Sequence, residues 1–195
     1  MAQNNLKSAV EAMLFASEKP LVIEQIRKVL DNLEANEVRK ILEELKTEYE
    51  LSNRGIRVVE IAGGFQINTA PAFAPFLKKL FKDRHAERLS KPALETLSII
   101  AYKQPLTRSE IESLRNVNVD GVMKSLLDKN LVRICGRKKV PGRPFVYGTT
   151  RQFLEYFGLK SLEELPKMEE FSALARNNEQ PDIEVIGEKT TGGAK

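Results

Sequence analysis

The residues able to do covalent or metal chemistry are few in this 195-residue chain. It has one cysteine, Cys135, and one histidine, His85, so neither an intramolecular disulfide nor a Cys/His zinc cage can be assembled from it. No nucleophile has a histidine base near it in sequence, because His85 sits in the charged run 82–88. Neither a phosphate-binding Walker loop nor a dinucleotide-binding glycine fingerprint occurs. The glycine pairs are Gly63-Gly64, which reads as a hairpin turn, and Gly192-Gly193 near the C-terminus. Glu43-Glu44, Glu163-Glu164 and Glu169-Glu170 are adjacent in sequence, so each pair points in different directions from a helix and reads as solvated surface. Cys135 lies in an apolar run beside basic residues and reads as a buried structural thiol. No cofactor and no catalytic group is expected.

The chemistry left is recognition. Between Leu131 and Thr149 there is no carboxylate, whereas Arg133, Arg137, Lys138, Lys139 and Arg143 are all present. Cations on a hairpin suit phosphates, and they equally suit acidic protein partners. The balance of Lys+Arg against Asp+Glu is 14 to 13 over residues 1–88, 13 to 8 over 89–166 and 4 to 6 over 167–195, so the positive excess belongs to the second half of the folded region. No apolar run approaches the roughly 18 residues of a membrane span, and residues 1–20 lack the layout of a signal peptide. With a single thiol, these features give the expectation of a cytoplasmic protein.

The elements that must carry these groups come in two similar series. Helical spacing predicts helices over 5–17 (Leu6, Val10, Met13 and Leu14 inward), 22–30 (Ile23, Ile26, Val29 and Leu30) and 36–50 (Val38, Ile41, Leu42, Leu45 and Tyr49). Alternating runs at 56–61 and 65–69 flank Gly63-Gly64, and a further helix is expected over 71–81. The second series opens at Ser90, an N-cap with Pro92 in its first turn and Leu89 placed to staple against Leu94. Thr107 and Glu110 form a capping box for a short helix with Ile111 and Leu114 inward. A third helix at 119–129 buries Val122, Leu126 and Leu127. Its outer face would then show Asp120, Met123, Lys124, Ser125 and Asp128. Strands at 131–136 and 145–149 enclose the basic turn 137–144, and a helix at 150–157 ends at Gly158. A short turn starts at Ser161 and stops at Pro166.

Ala16, Pro20, Leu21 and Ile26 recur as Ala101, Pro105, Leu106 and Ile111 at a constant offset, within the same order of helix, helix, helix, strand, turn, strand. The fold expected is mainly α with small β-hairpins, an α+β chain of two tandem winged helix-turn-helix domains. Their limits are 1–81 and 90–166, joined by a linker at 82–89 and followed by a disordered tail, 167–195. Each domain is small for a core of its own and calls for something to pack on. Carboxylates on the third helix of each series (Asp120 and Asp128; Glu34, Glu37, Glu43 and Glu44) would repel a DNA backbone. That favours protein recognition. A tandem winged-helix DNA-binding transcriptional regulator stays open at this point, since the fold serves both.

The run from Ser90 to Pro166 resembles the segregation and condensation protein B (ScpB) family. The resemblance rests on Ala101-Tyr102-Lys103-Gln104-Pro105, Asp120-Gly121-Val122, Gly136-Arg137-Lys138, Pro141-Gly142-Arg143-Pro144 and Tyr147-Gly148-Thr149-Thr150. Asn116 departs from it, standing where the family tends to have Gly. Asn tolerates the left-handed conformation, so the turn should survive. The resemblance implies a non-enzymatic homodimer of winged-helix subunits, paired chiefly through the N-terminal domain, with the face of the first helix and the 56–69 hairpin as dimer contacts. It implies binding of the kleisin ScpA and, through it, of the SMC ATPase in a condensin-like complex serving chromosome condensation and segregation during cell division. The setting would be the cytoplasmic nucleoid, with weak non-specific DNA contact and no membrane. Partner-contact candidates are Tyr102, Lys103, Arg108, Arg137, Lys138, Lys139, Arg143 and Tyr147.

Overall fold

A computed structural model describes residues 3–31, 33–81 and 88–167. Most of the 82–89 connection, His85 and Asn32, and residues 168–195 of the C-terminal segment lie outside the described residues. Residues Met1–Glu164 form one compact unit of mixed α and β structure. The first series comprises α1 (Gln3–Ala16), α2 (Ile23–Val29), α3 (Ala35–Leu51), the strands β1 (Ile56–Ile61) and β2 (Gly64–Thr69), a 3-10 turn (Pro71–Phe73) and α4 (Ala74–Leu80). The second comprises α5 (Lys91–Lys103), β3 (Leu106–Thr107), α6 (Arg108–Arg115), α7 (Asp120–Asp128), β4 (Val132–Arg137), β5 (Phe145–Thr149), α8 (Arg151–Phe157) and a 3-10 turn (Leu162–Glu164). Among the described residues no helix is long and apolar enough to cross a membrane.

The two series share more than element order. In the second, the antiparallel sheet runs β3-β5-β4, with Leu106 opposite Tyr147 and Tyr147 opposite Ile134. In the first, β1 pairs with β2, and Leu21 forms an isolated antiparallel bridge to Phe65 of β2 through hydrogen bonds of 2.9 and 2.8 Å. Leu21 therefore occupies the place of β3, at the same junction between first and second helices that repeats in sequence.

The stripes predicted for α1 and α3 bury as their spacing requires. Val10, Leu14, Val38, Leu42 and Leu45 form one core with Ile26, Val58 and Phe65. The short helices depart from expectation at their edges. Val29 and Leu114, expected inward, are 65% and 47% exposed. On α7 the buried positions are Met123 and Leu126, while Val122 and Leu127 are half-buried, so Met123 belongs to the core and not to the outer face. Leu94, expected to staple against Leu89, is 40% exposed, whereas Leu89 itself is buried. Helices of seven to nine residues make barely two turns, and their neighbours decide which flank of the apolar arc is covered.

Two local conformations follow from side-chain type. Asn116 closes α6 in the left-handed region at φ 53°. Gly158 does the same for α8 at φ 68°, consistent with its reading as a C-cap. The Gly63-Gly64 pair is not the turn as a unit. The turn residues are Ala62 and Gly63, with φ 51° and 69°, and Gly64 already belongs to β2. Gly64 is required for another reason. A Cβ there would lie 2.9 Å from the Leu21 carbonyl oxygen, so its lack of side chain permits the Leu21–Phe65 bridge.

Candidate partner-docking site

The carboxylate-free basic run becomes the β4–β5 hairpin. Its turn is held by the Lys138 N–H donating to the Pro144 carbonyl at 2.9 Å and the Arg143 N–H donating to the Val140 carbonyl at 2.9 Å, with Gly142 at φ 80° and Arg143 at φ 40°. The Arg137 guanidinium lies 3.9 Å from the centre of the Phe145 ring, its cross-strand partner, and donates to the Arg143 carbonyl at 3.0 Å. Lys139 and Arg143 are at the hairpin tip, both exposed. Tyr147 is half-buried on the same face of β5 as Phe145.

Lys138 points back to α6, where its ammonium pairs with Glu110. The same carboxylate closes the capping box, accepting from the Thr107 N–H and hydroxyl, each at 2.8 Å. The Lys138 hydrogen bond, followed by the two from Thr107, holds the Glu110 carboxyl down at about 2. One side chain thus ties the β4–β5 hairpin to the start of α6. Because the folded pKa is depressed, this contribution to stability is present above the ordinary carboxylate value of 4.5 and is lost as pH falls toward about 2. Glu110→Gln should lower the urea midpoint at pH 7, and the gap from the parent should close between pH 4.5 and 2. A gap that stays constant across that range would mean the pair contributes nothing.

The other predicted residues are more dispersed. Arg108 is turned toward α7 and its own helix, bonded to Glu112 at 3.0 Å and paired with Asp120. The Glu112 bond and then the Asp120 charge raise its pKa. Its charge is therefore compensated locally. Lys103 is exposed at the end of α5, and Tyr102 is half-buried beside it. The structure brings together Arg137, Lys138, Lys139, Arg143 and Tyr147 on one hairpin and its sheet. Arg108 is engaged instead with Glu112 and Asp120.

Cys135 is exposed, contrary to its reading as a buried thiol. β4 buries Val132 and exposes Arg133, so alternation carries Cys135 to the outer face with Arg133, just before the register slips between Ile134 and Gly136. Ile134 and Phe145 carry no signal of their own in the sequence, yet they are 46% and 40% exposed among the cations. Strand register was the available signal: Ile134 stands opposite Tyr147, and Phe145 opposite Arg137. In the first series, Phe15 of α1 is 78% exposed, and a separate apolar groove of about 300 Å³ between α1 and α2 is walled by Met13, Ala16, Leu21, Ile26 and Val29.

Comparison with known proteins assigns the family. Residues 8–168 match the model of the segregation and condensation complex subunit ScpB. The segregation and condensation protein B of Syntrophotalea carbinolica is 50% identical over 174 residues, covering 89% of this chain and 87% of the relative. That of Geobacillus kaustophilus is 43% identical over 98% of this chain and 89% of its own length. Among solved structures, ScpB from Mycobacterium tuberculosis is 31% identical with a TM-score of 0.41, covering 82% of this chain and 98% of that one. A dimer of an ScpB N-terminal domain complexed with ScpA peptide is 38% identical with a TM-score of 0.38, over 41% of this chain and 99% of that one. The match spans both series of elements and takes in the hairpin just described, and on that ground this chain belongs to the ScpB family of segregation and condensation complex subunits.

Proposed function

We propose that this chain is a non-catalytic, homodimeric subunit of a condensin-like complex, which binds the kleisin ScpA and through it serves the SMC ATPase in chromosome condensation and segregation. It is built from two winged-helix domains, 1–81 and 90–166, and works at the nucleoid in the cytoplasm. The observation that carries this reading is the family match across residues 8–168, which spans both domains and not one alone. The first domain supplies the dimer contact, for which the exposed Phe15 and the apolar groove between α1 and α2 are suited. The second supplies kleisin contacts through the wing. Exposed Ile134 and Phe145 set among Arg137, Lys139 and Arg143 suit a partner segment with both apolar and acidic side chains. The carboxylates Asp120 and Asp128, exposed on α7, oppose insertion of that helix into a DNA groove.

Size-exclusion chromatography with light scattering, with and without purified kleisin, tests this. A dimer that takes up kleisin is expected, and a monomer that never binds it overturns the reading. Replacing Arg137 and Lys139 together by Glu leaves the Lys138–Glu110 tie in place and should weaken kleisin binding about tenfold or more. Unchanged affinity would remove the wing from the contact surface. Duplex titration at two salt concentrations addresses DNA. Binding lost in moderate salt is backbone electrostatics, as expected here, whereas tight sequence-selective binding would favour a transcriptional regulator.

A further inference from the structure

Residues 151–160 belong by sequence to the second series, yet three of their polar contacts are made to the first. The Ala62 N–H donates to the Leu159 carbonyl at 2.8 Å. Arg151 Nη2 donates to the Pro20 carbonyl at 2.9 Å. The Lys160 ammonium sits 2.8 Å from the Glu60 carboxylate, which is 17% exposed and also faces Arg39 at 3.8 Å.

The receiving residues form one rim. Pro20 precedes Leu21, whose backbone bridges to Phe65, and Glu60 and Ala62 flank the last residue of β1. Ala62 is 8% exposed and lies in a two-residue turn, outside the β1–β2 pairing register. A buried N–H without an acceptor costs about as much as a lost hydrogen bond, so the Leu159 carbonyl meets a need the hairpin cannot meet itself. The donor side is equally determined by local structure. Gly158 stops α8 in the left-handed region, and the Leu159 N–H turns back to the Leu154 carbonyl at 2.9 Å, which fixes where the Leu159 carbonyl points. The three contacts are of different kinds: a backbone hydrogen bond, a charge-assisted one and an ion pair. Their convergence on one rim is what distinguishes them from scattered surface pairing.

We propose that residues 151–160 are a latch that docks on the Pro20–Glu60–Ala62 rim and holds the two winged-helix domains together, so that a partner spanning both meets them at a set spacing. The latch does not rest on the kleisin reading and stands or falls separately from it. High salt loosens the Lys160–Glu60 pair but leaves the neutral Ala62–Leu159 bond, so the latch weakens with ionic strength without being abolished.

Amide hydrogen exchange on the full-length chain tests it, read residue by residue by NMR. Ala62 should be protected in the parent. In the variant Arg151→Ala/Lys160→Glu its exchange should rise about tenfold or more, while amides in the β1–β2 ladder keep their parental protection and so report an intact domain. In parallel, spin labels at Thr47→Cys and Gln152→Cys in a Cys135→Ser background should give a narrow distance distribution that broadens in the variant. The narrow distribution should survive dilution with unlabelled chain. Fast exchange at Ala62 in the parent overturns the latch, as does an exchange rate or a distance distribution that the variant leaves unchanged. A distance that disappears on dilution would place the docking between copies and overturn the intramolecular form.

Discussion

Phe65→Ala should destabilise the chain by about 4 kcal/mol, lowering the thermal midpoint by roughly 10 °C. Phe65 is 2% exposed and is the largest of the fully buried side chains. It fills the core where α1, α2 and α3 meet β2, and its backbone is pinned by the two bonds to Leu21. Alanine keeps those bonds and removes the ring, so the loss combines transfer free energy with the cavity left among Val10, Leu14, Ile26 and Val58. Urea denaturation followed by circular dichroism, at one fixed protein concentration, measures it. A loss under about 1 kcal/mol would mean that the core collapses around the gap, and that Phe65 is not the side chain that organises it.

Gly64→Ala should cost about 3 kcal/mol through overpacking, although it adds one methyl group. The new Cβ would lie 2.9 Å from the Leu21 carbonyl oxygen and 3.1 Å from the Pro20 carbonyl carbon. Both are backbone atoms, so the strand and the Pro20–Leu21 segment must separate and the bridge to Phe65 weakens. Gly148 makes a useful contrast in the second series of elements. A Cβ there would meet Gln104 Oε1 at 2.7 Å and Cys135 Sγ at 2.8 Å, which are side-chain ends that can swing aside. The loss at Gly148→Ala is then limited to the Gln104 bonds, including the one accepted from the Thr149 N–H at 2.6 Å. Gly64→Ala should therefore be the more damaging of the two, and the reverse order in denaturation would refute this reason for a glycine at the start of β2.

Gly64→Ala also bears on the proposed latch. Pro20 lies in the segment that Gly64→Ala would displace, and its carbonyl accepts from Arg151. Amide exchange at Ala62 should therefore rise in the Gly64 variant as well, which connects the packing of one hairpin with the docking of residues 151–160.

What sequence alone determined was whatever depends on near neighbours along the chain. The Thr107–Glu110 capping box is a relation between residues three apart, and it is present in the fold. The left-handed turns at Asn116 and Gly158 are single-residue preferences. The stripes on α1 and α3 run for 14 and 17 residues, long enough for the helical period to name the buried face. The five cations without a carboxylate between 131 and 149 are countable in the sequence, and the strings around them resemble the family to which the chain belongs. Tertiary structure alone decided the rest, because those outcomes depend on partners distant in sequence. Lys138 finds Glu110, 28 residues away, and so serves to hold the β4–β5 hairpin in place. Cys135 is exposed because β4 packs inward through Val132, which leaves Arg133 and Cys135 on the outer face. Val29, Leu114 and Met123 fall on the opposite side from the one their spacing predicts, because two helical turns leave the edge of an apolar arc to be settled by whatever packs against it. Gly64 reads in sequence as half of a turn, and its purpose is visible only with Leu21, from far earlier in the chain, against it. Arg151 and Lys160 carry no sequence signal that points to Pro20 or Glu60, because contacts over a hundred residues or more leave no local pattern to read.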